Sequence, residues 1–81
     1  MPITEKIRVL IVDDISETRE NVRRLLQFDN AVEVVGMARG GQEAINLSQS
    51  LKPDVVIMDI NMPDMDGITA TEAIRRKVFY I

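Results

Sequence analysis

Three carboxylates delivered by two apolar runs carry the chemistry of this chain. Asp13 and Asp14 follow the run Ile7-Arg8-Val9-Leu10-Ile11-Val12, and Asp59 follows Val55-Val56-Ile57-Met58, two residues before Asn61. A carboxylate at the carboxyl end of a parallel strand lies in the crevice where open α/β sheets bind their ligands. If the two runs are neighbours, Asp13, Asp14 and Asp59 converge, and three like charges repel. At ~4 Å and an effective dielectric near ~20, each pair costs about 4 kcal/mol before relaxation. Hard, oxygen-rich clusters of this kind are stabilised by a divalent cation, and Mg²⁺ suits a few carboxylates, a carbonyl and several waters. Asn61 could supply the carbonyl. The plainer reading makes these acids solvated turn formers, since Asp and Asn are common at strand ends. It suits one Asp-Asp pair better than the combined pattern.

Much other chemistry is excluded. The chain has no histidine and no cysteine, which removes histidine acid/base catalysis, thiolate metal sites and disulfides. Ser16 and Ser48 therefore have no standard activating base. The Gly-x-Gly-x-x-Gly dinucleotide pattern is absent, and Gly36, Gly40 and Gly41 read as tight-turn residues. Asp64 and Asp66 read as turn and cap residues, and Met58, Met62 and Met65 as packing and loop contacts. A hydrolytic or redox enzyme has no support, and the chain is expected not to be an enzyme.

The elements that must position the acids follow from pattern. Ile7–Val12 and Val55–Met58 are short and largely apolar, as in parallel strands buried on both faces. Residues 31–36 form a shorter strand whose Glu33 suggests an edge position. Ser16 is the expected cap of a first helix with Val22, Leu25 and Leu26 on one stripe. A second helix covers about 42–51, ended by Pro53, and a third begins after Gly67 with Ile68, Thr71, Ala73, Ile74 and Val78. Arg75, Arg76 and Lys77 suit its C-terminal end. Strand and helix alternating three times call for βαβ units and right-handed crossovers.

At 81 residues and 46% apolar composition, the chain reads as one small domain, 1–81, burying about two-thirds of its unfolded surface. A net charge of −3 makes no electrostatic case for nucleic acid or membrane, and no run is long enough to span a bilayer. A cytoplasmic location is the default expectation.

The runs Val9-Leu10-Ile11-Val12-Asp13-Asp14, Pro53-Asp54-Val55-Val56-Ile57-Met58-Asp59 and Asn61-Met62-Pro63-Asp64-Met65-Asp66-Gly67 together closely resemble a response-regulator receiver domain of two-component signalling. The resemblance implies a flavodoxin-like, doubly wound parallel sheet of order 2-1-3-4-5. It implies Asp59 as phosphoacceptor, Asp14 as a direct Mg²⁺ ligand, Asp13 as a ligand through water, and Asn61 as a ligand through its main-chain carbonyl. A sensor histidine kinase is the implied phosphodonor partner.

Against that family the chain is expected to hold only (βα)3 of the usual (βα)5, with Val78-Phe79-Tyr80-Ile81 as the beginning of strand four or an altered tail. The family's switching Ser or Thr and its lysine have no match, so phosphotransfer is expected to be impaired. The third strand would then be an open edge, a template for association. Two functional expectations result. One is a receiver-like phosphoacceptor module with a Mg²⁺ pocket. The other is a self-associating interaction half-domain, a homodimer joined through Val55–Met58 and the tail.

Overall fold

Both acid-tipped runs form strands with the expected limits. The structure is a computed structural model and describes residues 5–59, 67–74 and 77–80. In chain order the elements are β1 (Ile7–Val12), α1 (Ser16–Leu26), β2 (Val32–Ala38), α2 (Gly41–Leu51), β3 (Val55–Met58), α3 (Gly67–Ile74) and β4 (Lys77–Tyr80). The strands make one parallel sheet of order β2-β1-β3-β4. β1 is flanked on both sides, which explains its nearly unbroken apolar run.

The main core lies between the sheet and α2 with α3. Leu10, Val12, Ala38, Val56 and Met58 from the strands meet Ala44, Ala70 and Ile74 from the helices. Gly36 makes that closure possible. It sits within β2 opposite Leu10, where an added Cβ would fall 2.7 Å from Leu51 Cδ1. The register shifts there, Val9 facing Val34 and Leu10 facing Gly36, so Val35 is the extra residue of a bulge.

A second set of bonds fixes β3 against β1. Asp54 N–H donates to the Arg8 carbonyl at 2.8 Å, and Arg8 N–H donates to Asp54 Oδ2 at 2.9 Å. Arg8 Nη1 also donates to the Lys52 carbonyl at 3.0 Å, holding the turn that ends α2. Lys52 there has φ 51°, a left-handed conformation that glycine adopts more easily. At the other end Asp59 N–H donates to the Val12 carbonyl at 3.0 Å, so β3 delivers its acid beside that of β1.

Several expectations are corrected. β3 is not an edge: β4 pairs with it along its whole length, from Val55 with Lys77 to Met58 with Tyr80. The open-edge route to a homodimer through Val55–Met58 therefore loses its physical basis. Lys77 and Val78 belong to β4 rather than to the third helix, and Val78 packs on the core. β3 is not buried on both faces, since Val55 and Ile57 are only half-buried. β2 is at an edge as expected but is longer than β3. Gly36 is a packing residue within a strand, not a turn former. Ser16 is the first helical residue, with Ile15 at the cap position and no side-chain cap bond. Leu25 is exposed beside half-buried Val22 and Leu26, and Ala73 is exposed while Ala70 is buried.

Candidate functional site

Asp13, Asp14 and Asp59 come together at the carboxyl ends of β1 and β3. One carboxylate oxygen from each lies within 4.8 Å of the others. Parallel pairing of β1 with β3, Val12 opposite Met58, makes the next residues neighbours and so produces the cluster. The three differ in environment: Asp13 is buried, Asp59 half-buried and Asp14 exposed. Asn61 lies outside the described residues, as do Met62, Asp64, Met65 and Asp66.

Asp13 is held at three points. Its N–H donates to the Ala38 carbonyl at 3.1 Å, its Oδ1 accepts from Ile15 N–H at 2.9 Å, and its carbonyl accepts from Arg19 Nη1 at 2.7 Å. Burial pushes its carboxyl above the ordinary carboxylate value, against the opposing Ile15 N–H, and the charges of Asp59 and Asp14 push the same way. A buried acid that resists ionisation beside two more acids is a site that gains from a cation. Three carboxylates are the hard oxygen donors that Mg²⁺ takes, so the donor set fits that ion.

Arg19 escaped the sequence reading. Its only signal was position: one helical turn beyond the β1–α1 junction, where a long side chain can reach back to the strand end.

Residues 9–79 match the response regulator receiver domain family. The chain belongs to that family. A protein-glutamate methylesterase/protein-glutamine glutaminase of Carboxydothermus hydrogenoformans is 52% identical over 69 residues, which cover 85% of this chain and 20% of that protein. This receiver thus spans about one fifth of that relative's length. The response regulator domain of Thermotoga maritima CheB superposes with a TM-score of 0.90 at 38% identity, covering 94% of this chain and 60% of that one. A chain of the CheX-CheY-BeF3-Mg²⁺ complex from Borrelia burgdorferi superposes with a TM-score of 0.85 at 29% identity, covering 94% and 61%. The receiver is CheB-like in sequence and flavodoxin-like in fold, with four parallel strands among the described residues. Among those residues no helix is long and apolar enough to cross a membrane.

Proposed function

We propose that this receiver accepts a phosphoryl group on Asp59, with Mg²⁺ held by Asp13, Asp14, Asp59 and the main-chain carbonyl of Asn61. The observation that carries the reading is the meeting of three carboxylate oxygens within 4.8 Å at two strand ends of a receiver fold. Half-buried Asp59 keeps access to a donor while its N–H is tied to Val12, which fixes where its carboxylate emerges. An Asp59 oxygen attacks the phosphorus of a phosphohistidine on a sensor kinase, or of a small acyl phosphate. The donor's P–N or P–O bond breaks as the new O–P bond forms, and the leaving imidazole takes up a solvent proton or the carboxylate departs as the anion. Bound metal supplies neutralisation of the charge gathered on the phosphoryl oxygens. Asp13 and Asp14 shape the acidic wall that makes this neutralisation necessary.

The methylesterase-type relative suggests the setting: a receiver that regulates a protein-modifying output in a longer chain. Incubation with acetyl phosphate and Mg²⁺, followed by intact mass, tests the phosphoacceptor. The expected result is a species heavier by one phosphoryl group, absent in Asp59→Ala and absent when the metal is chelated. A modified Asp59→Ala chain would refute the assignment.

A further inference from the structure

We infer that Arg19 is a positioning residue that clamps the Asp13–Asp14 peptide in its metal-ready orientation, an inference that rests on the proposed Mg²⁺ pocket. Asp13 and Asp14 must stay beside Asp59 although all three repel. Two of the bonds that hold the turn come from its own surroundings, Asp13 N–H to Ala38 and Ile15 N–H to Asp13 Oδ1. The third comes from a helix side chain, Arg19 Nη1 to the Asp13 carbonyl at 2.7 Å. That carbonyl belongs to the peptide joining the two acids, so the bond fixes the plane from which Asp14 departs.

The choice of partner is informative. Farther along α1, Arg23 and Arg24 form ion pairs with Glu20. The Arg19 bond goes instead to a backbone oxygen, although a carboxylate cluster begins at the same residue. Such a bond restricts geometry more than it balances charge. The two roles have opposite signs toward a metal. Removing a cation from beside the pocket would tighten Mg²⁺ binding by relieving repulsion. Removing a clamp would weaken it, because the acids must be reordered when the ion binds.

The test is Mg²⁺ titration by calorimetry of the full chain and of Arg19→Met, Arg19→Lys and Arg24→Met, with amide exchange of Ile15 followed in metal-free protein. Arg24→Met removes the same charge from the same helix away from the turn. Arg19→Met should raise the Mg²⁺ dissociation constant on the order of tenfold, as loss of a group that orients metal ligands does. It should also speed Ile15 exchange, while Arg24→Met does neither. Arg19→Lys keeps the charge and loses the long fork, so it should also weaken binding, and it carries the test if Arg19→Met does not fold. Unchanged or tighter binding in the Arg19 variants overturns the inference, whatever happens to Ile15. An unaltered chain that binds no Mg²⁺ overturns the proposed pocket itself, and with it the metal-facing role of Arg19.

Discussion

On the sheet face that carries α2 and α3, Leu10, Val12, Val56 and Met58 are fully shielded, whereas on the α1 face only Val9 and Ile11 of β1 are buried, Val55 and Ile57 of β3 being half-buried and Phe79 of β4 51% exposed. The difference arises above the strands rather than within them. α2 and α3 contribute Ala44, Ala70 and Ile74 to one continuous core. α1 packs on β1 and β2 without a comparable contact on β3 or β4 among the described residues, and no α1 residue is fully buried. Leu25 on α1 and Phe28 just beyond it are 71% and 83% exposed. An apolar strand therefore reports what it can bury, and the helix laid over it decides what it does bury.

The contrast is most easily broken by cutting the same atoms from each face. Leu10→Ala should cost about 2–5 kcal/mol, and Ile57→Ala on the other face about 1–2 kcal/mol, by urea denaturation. Equal losses would mean that the β3 side of the α1 face is covered in solution. Gly36→Ala tests how closely α2 approaches the closed face. The new methyl meets Leu51 at 2.7 Å, so a loss of about 1–3 kcal/mol is expected, recovered in part by shortening Leu51 to Val.

Asp13 extends the comparison to the strand end, because it continues the alternation of Val9 and Ile11. Its carboxyl is held above the ordinary 3.8, chiefly by burial. The native state thus binds this proton more tightly than the unfolded chain, and stability from this group falls as pH rises through the raised value. Metal-free Asp13→Asn, which keeps the Oδ1 acceptor for Ile15, should melt higher than the unaltered chain at neutral pH. The gap should close as pH falls toward the ordinary carboxylate range. A gap that widens on acidification would contradict the assignment.

Ser48 offers a smaller gain. Its hydroxyl is buried against the closed core, with no hydrogen-bond partner among the described residues. Ser48→Ala should stabilise by about 1 kcal/mol in thermal melts. Least of all, Leu25→Ser on the open side should shift stability by no more than about 0.5 kcal/mol. A larger loss would reveal a partner on that side.

Much of this architecture was legible in the residues. Two β-branched runs ending in acid gave the limits of β1 and β3, and their pairing explains why Asp13, Asp14 and Asp59 meet. The tail was legible as the beginning of a fourth strand, but not its start at Lys77 or its pairing along the whole of β3. Lys77-Val78-Phe79-Tyr80 is four residues long and follows Arg75 and Arg76, so basic residues at a helix end described it equally well. Its identity comes from the unsatisfied backbone of β3, a tertiary cause that local pattern does not contain. Gly36 was misread for a related reason: glycine signals turns by backbone freedom, but here it is needed for space. Arg19 carried no pattern, because its partner is a carbonyl, and every residue has one.

Each strand pairing in this sheet spans an intervening helix, and the tie between Arg8 and Asp54 joins residues 46 positions apart. Among the described strands no hairpin is available to start the sheet cheaply, so this sheet should form slowly. During synthesis β1 leaves the ribosome before the other three strands of this sheet, but one of its two edges waits for β3 to follow through two helices. Of the two interior strands, β1 is thus the one left longer without its second neighbour, and that interval is when nascent copies are most exposed to one another.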